Sequence, residues 1–181
     1  MKVPPSPSQG RLARYRQEIR FLVLFSVLLG GGFALLSWTP VNDLVVEPFT
    51  AAVAAWSGAL LNLLGQGVTR DGTVLRSARF AVNIENGCNG IETLIIFISA
   101  VLAFPASPRA KSAGLLLGSI AIQLVNLVRV AALFLTGVYL PKLFDSSHTV
   151  IWQTVVVLCG VLLWLYWAQR FARPARPAAE A

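Results

Sequence analysis

Three side chains of this sequence combine into a chemistry that none carries alone: Cys88 in IENGCNG, Arg129 in QLVNLVRVAALF and His148 in SSHTVIWQ. A thiol attacks as its thiolate, and the start of a helix lowers a thiol pKa through unpaired N–H groups and the positive end of the dipole. Cys88 stands just before the apolar run Ile91–Phe104, between Gly87 and Gly90, which allow another backbone to approach closely. An imidazole takes and returns a proton. A guanidinium stabilises a thiolate or a developing oxyanion. A Cys/His pair is the usual minimum for thiol acyl transfer. Taken singly, each residue has a plainer role: Cys88 a small residue in a turn, Arg129 an arginine snorkelling at a helix end, His148 a surface group. What matters is whether the elements that carry them bring all three to one level.

Of the 181 residues, 56% are hydrophobic and 13% charged, against about 25% charged in soluble domains. A chain of this length has too little interior to hide that much apolar surface, so lipid is the implied solvent. The expected fold is an all-α polytopic membrane protein, a helical bundle with a small extracytoplasmic hairpin or loop. The formal charge is +7 and the pI about 10.3, but no basic stripe is interleaved with aromatics, so a nucleic-acid partner is not implied. In a membrane protein such charge comes from arginines that hold cytoplasmic ends in place. The two cysteines, Cys88 and Cys159, have no CxxC or Cys/His ligand spacing, so neither a metal nor another cofactor is expected. Cys159, in VVVLCGVLLW, reads as a packing residue.

Residues 1–20 form a basic, Pro-containing tail, residues 21–168 a membrane-embedded unit, and residues 169–181 a second basic tail. Phe21–Trp38 is long enough to span and, with no small-x-small cleavage site behind it, reads as a retained helix. Thr39-Pro40 is expected to end it, followed by a short acidic loop with Asn42, Asp43 and Glu47. Phe49–Leu64 is short for a crossing. Asp71-Gly72 between β-prone runs signals a hairpin. Ile91–Phe104 ends at Pro105, Leu115–Leu135 is the next apolar stretch, and Val150–Trp167 the last.

Charge sets the expected topology. The two tails and the Arg109/Lys111 loop hold ten of the 15 Lys and Arg residues and two of the eight acids, Glu18 and Glu180. The other polar segments hold four basic residues and six acids. The positive-inside rule puts the first set in the cytoplasm and the Cys88 and His148 loops outside. Parity then requires that Phe49–Leu64 does not cross, but lies at the outer interface or inserts halfway; the rival is a full crossing with the N-terminus outside, which would export five basic residues. From Lys111, 18 residues of helical rise bring Arg129 roughly 27 Å up, near the outer interface. Gln123, Asn126 and Arg129 recur three apart and share a helix face. Glu92 lies one turn after Cys88 and offers Arg129 an acidic partner. Glu85, Asn86, Asn89 and Asn126 complete the set of supporting or substrate-binding candidates.

At this point the sequence resembles a family. ENGCNGIETLIIFISAVLAFP, then NLVRVAALF, then the histidine of SSHTVIWQ look like the exosortase/archaeosortase family, and the short chain with CNG and HTVIWQ is most like its exosortase H branch. The resemblance implies a multi-pass protein of the bacterial cytoplasmic (inner) membrane, with its active site facing the periplasm or exterior. It implies a cysteine peptidase or transpeptidase, with Cys88, Arg129 and His148 as the catalytic residues. The partners it implies are exported proteins with a C-terminal sorting signal, of Ile-Pro-Thr-Leu type, before a hydrophobic helix and basic tail, along with membrane lipid. Asn89 stands where many relatives have Ser, and the extra N-terminal helices of longer relatives are missing. Two other functions fit the residues. One is a non-enzymatic membrane assembly or scaffold protein in which the trio is structural. The other is a small transporter lined by Arg129 and Gln123, which few helices without a repeat disfavour.

Overall fold

The structure is a computed structural model and describes residues 7–144 and 147–171. Lys2, Arg173, Arg176 and Glu180 of the expected tails lie outside the described residues. Helix α1 runs Pro7–Leu36, so the expected tail is helical from Pro7, as its Arg, Leu, Gln and Glu residues favour. The chain turns at Ser37–Trp38, and Thr39-Pro40 opens the next helix rather than closing the last, because proline is tolerated in a first turn.

Helix α2, Thr39–Leu63, is longer than expected. The acidic loop anticipated at Asn42, Asp43 and Glu47 is helical, which corrects that expectation. Its physical reason is a wide turn over Asn42–Val46, where the Glu47 N–H bonds to the Asn42 carbonyl five residues back. That π-type step carries the helix past Pro48, which has no N–H to give.

Three short strands follow, β1 Thr69–Asp71, β2 Val74–Arg76 and β3 Ala81–Asn83, in the order β1-β2-β3. Both pairs are antiparallel, with Asp71 opposite Val74 across the expected turn and Leu75 opposite Val82. The third strand was not anticipated. Leu75 is fully buried and seats the sheet on Gly58 of α2. Helix α3 is Ile91–Ala103 and helix α4 is Pro108–Tyr139, the latter capped by Ser107, whose Oγ accepts the Ala110 N–H. A second wide turn, Ser147–Trp152, carries His148 and leads into α5, Gln153–Arg170.

Among the described residues, four helices are long and apolar enough to cross a membrane: Tyr15–Leu36, Thr39–Leu63, Pro108–Tyr139 and Val150–Arg170. With α3 they make an all-α polytopic membrane protein carrying one small sheet. Helix α4 is the ruler of the bundle. At its start Gly114 and Gly118 leave room for Trp167 and Phe97, in the cluster Phe97, Val101, Ile122 and Trp167. Nearer its end Val130, Leu133 and Phe134 join Val53, Ala54 and Leu61 of α2, Leu75 of β2, and Cys88. Side-chain bonds tie α2 to the segment before β1, through Asn62 and Val68, and to the cysteine turn. Asn86 donates to the Asn42 side chain at 3.3 Å, and Asn89 to the Thr50 hydroxyl at 2.9 Å. Just past α2, Gln66 reaches the Tyr139 hydroxyl at 3.5 Å, at the far end of α4.

Candidate active site

The turn Glu85–Gly90 is held from both directions. The Cys88 N–H bonds to the Glu85 carbonyl. Glu92, in the first turn of α3, reaches back to accept the Gly87 N–H at 2.6 Å. Asn89 is fully buried. Its amide nitrogen donates to Thr50 and to Asn86, and its oxygen accepts the Ile91 N–H at 3.0 Å, so it caps α3 one residue early. Gly87 and Gly90 have φ of 88° and 80°, left-handed values that glycine adopts without a Cβ penalty.

This turn presents Cys88 to two other elements. His148 Nε2 lies 2.7 Å from Cys88 Sγ. The imidazole stacks on Phe144 with ring centroids 5.9 Å apart and an interplanar angle of 15°. Arg129 is 2% exposed. Its Nη2 donates to the Gly87 carbonyl at 2.8 Å and lies 3.8 Å from Cys88 Sγ. The structure therefore places the three residues together, thiol in the middle.

The electrostatics depart from expectation. Burial pushes the Cys88 thiol up from its ordinary value; Arg129 opposes this, while Glu92 and Glu85 add to it. Desolvation therefore outweighs the favourable charge of Arg129 and favours the thiol form of Cys88, with the imidazole nitrogen of His148 in reach of its proton.

The supporting residues fall into two groups. Asn89, Asn86, Glu85 and Glu92 build the cysteine turn; Glu85 also accepts from Asn83 at 2.8 Å. The expected Glu92–Arg129 pair is replaced by Glu92 on the Gly87 N–H and Arg129 on the Gly87 carbonyl, so the two bracket one peptide segment. Asn126 is fully buried against Gly90, and its amide atoms have no hydrogen-bond partner among the described residues. Sequence reasoning missed Thr50, Asn42 and Phe144. Thr50 and Asn42 lie far from the cysteine in sequence, and no local pattern marks any of the three.

A polytopic helical membrane protein with a Cys/His/Arg centre at one end of its bundle is the class these observations define. The family model of the transmembrane exosortases matches residues 12–165, and the chain belongs to that family. Searches of curated proteins and of solved structures returned no match.

Proposed function

We propose that the protein is a membrane-embedded cysteine peptidase or transpeptidase that cleaves C-terminal sorting signals from exported proteins at the outer face of the cytoplasmic membrane. One observation carries the reading: Cys88 Sγ lies 2.7 Å from His148 Nε2, with Arg129 on its other flank at 3.8 Å.

In this mechanism Sγ attacks the scissile carbonyl carbon as its proton passes to Nε2, so the reactive imidazole carries its hydrogen on Nδ1. The C–S bond forms, and negative charge collects on the carbonyl oxygen beside Arg129. The C–N bond then breaks, and His148 gives the proton to the leaving amine, which remains on the sorting helix. The thioester is resolved by an amine or water, whose proton His148 takes as the C–S bond breaks and Sγ is reprotonated. Holding enzyme and substrate helix in one membrane supplies proximity that a solution encounter lacks.

The site faces outward in this reading, from the positive-inside charge distribution. Helix α2 stays on the outer side although it is long enough to span; its bonds to the cysteine turn and the bond from Gln66 to Tyr139 support this. The test uses a reporter with an exported domain, an Ile-Pro-Thr-Leu segment, an apolar helix of about 20 residues and an arginine tail. Coexpressed Cys88→Ala protein that accumulates in the membrane leaves it uncut, while Cys159→Ala protein processes it normally. Normal processing by Cys88→Ala refutes the reading.

A further inference from the structure

The end of the bundle opposite Cys88 carries a recess of different chemistry. Its volume is about 530 Å³, and it lies between α1, the end of α3 and the start of α4. Three cations line it: Arg16 and Arg20, one turn apart on α1, and Lys111 in the first turn of α4. Phe21 and Leu24 of α1 and Leu102 and Phe104 at the end of α3 supply apolar walls. Leu24 and Leu102 are exposed, so the recess opens to the surroundings of the bundle. Lys111 Nζ donates to the Leu102 carbonyl at 2.5 Å, and as an ammonium it has two further protons to give.

The depth of this recess follows from α4. Lys111 stands 18 residues before Arg129 on one continuous helix, roughly 27 Å of rise, and a hydrocarbon core is about 30 Å thick. Arg129 lies beside Cys88, so the recess sits at the headgroup level of the leaflet opposite the cysteine, whichever way the chain faces. Aromatic residues mark the same level, as they do at membrane interfaces. Phe104 meets Trp164 and Trp167 edge-on, and Trp167 Nε1 donates to the Ala110 carbonyl at 2.9 Å. Helix α1 is the element most in need of a tie here. No residue of its crossing stretch is buried, and Phe21, Phe25, Leu29, Gly32 and Leu36 are half-buried along a single seam.

An acyl chain alone would leave the cations unanswered. A basic peptide, the substrate's arginine tail included, is repelled, and a zwitterionic headgroup brings a cation of its own. Glu18 lines the neighbouring recess with Trp164, which leaves the balance at this end positive. We propose that the recess holds one anionic phospholipid, its phosphate between Arg16, Arg20 and Lys111 and an acyl chain beside Leu24 and Leu102, and that this lipid ties α1 to α4. Basic recesses between membrane helices suit such headgroups, and in the orientation proposed above this one faces the anionic cytoplasmic leaflet. The inference does not depend on the chemistry of Cys88.

The test uses the full chain purified into mixed micelles of a neutral detergent with phosphatidylglycerol or phosphatidylcholine, and native mass spectrometry reads the lipid retained. The expected result is one phosphatidylglycerol per chain, held in preference to phosphatidylcholine. Arg16→Gln with Arg20→Gln weakens that binding about 5- to 30-fold, the loss of one to two cations at about 1 kcal/mol each near a charged surface. Arg109→Gln with Arg170→Gln removes the same charge from the same end of the bundle but outside the recess lining, and binds as the parent does. The single variants Arg16→Gln and Arg20→Gln, with parental circular dichroism, show that the double variant acts through the recess and not through misfolding. Equal retention of phosphatidylcholine, equal loss in both double variants, or parental affinity in Arg16→Gln with Arg20→Gln would overturn the proposal. Displacement of the lipid by an equal concentration of inorganic phosphate would also overturn it, as the mark of a simple anion site.

Discussion

Replacing Arg129 by Gln should slow alkylation of Cys88 by a predictable amount. The guanidinium lies 3.8 Å from Sγ, where unit charges interact by about 1 kcal/mol in water and about 4 kcal/mol at the effective dielectric of a protein surface. Removing it therefore costs the thiolate about 1–4 kcal/mol relative to the thiol and raises the thiol pKa further. The sign follows from the acid: Arg129 stabilises the thiolate, so its loss shifts the equilibrium further toward the thiol, beyond the rise that burial already causes. At a fixed pH below the midpoint the thiolate fraction falls about tenfold for each 1.4 kcal/mol. A more basic thiolate is more nucleophilic, with a Brønsted coefficient near 0.4–0.5, which offsets nearly half of this on the logarithmic scale. The net expectation is about a 3- to 50-fold slower reaction. The assay is the rate of iodoacetamide labelling at pH 8 in membranes from a Cys159→Ala background, after membrane accumulation of both proteins is matched. Labelling of Arg129→Gln at the parental rate would show that the arginine is not electrostatically coupled to the thiol.

Arg129→Lys keeps the charge but replaces a planar guanidinium, whose Nη2 reaches both the Gly87 carbonyl and Sγ, by a point charge on a flexible stem; reporter processing is expected to fall at least tenfold, and near-normal processing would show that charge alone suffices. Gly90→Ala forces a left-handed φ of 80° on a residue with a Cβ, 2.9 Å from Asn126 Cγ; a loss of about 1–3 kcal/mol should appear as a lower denaturation midpoint of the purified protein. An impermeant maleimide should label cysteines placed at Ser77 or Ser147 in intact cells, and a topology reporter fused after Gly67 should read as external. Labelling only after the cytoplasmic side is opened reverses the orientation, and a cytoplasmic reading at Gly67 means that α2 crosses.

The parts legible in the sequence were those with local signals. Asp71-Gly72 marked its hairpin, IENGCNG marked a tight turn before a helix, and a charge in QLVNLVRVAALF marked a face needing partners. Helical rise then placed Arg129 near the level of Cys88, and the structure brings the two into contact. What was hidden depends on distant partners. Nothing near Glu92 shows that it bonds Gly87 rather than Arg129, and nothing near Thr50 shows that it carries Asn89. The helix through Asn42–Val46 was obscured because Asn, Asp and a nearby proline ordinarily argue for a loop, and the wide turn that admits them leaves no composition mark. The rise in the Cys88 pKa was missed because burial, its dominant cause, is a property of the assembled bundle.

The central claim is that Cys88 becomes acylated, and the direct measurement is mass spectrometry of the protein after acid quenching of its reaction with the reporter. The account predicts a peptide containing Cys88 that carries the reporter's exported fragment through a hydroxylamine-labile bond, present with Cys159→Ala and absent with Cys88→Ala. Efficient conversion of reporter with no adduct on Cys88, and equal conversion by the Cys88→Ala protein, would contradict it.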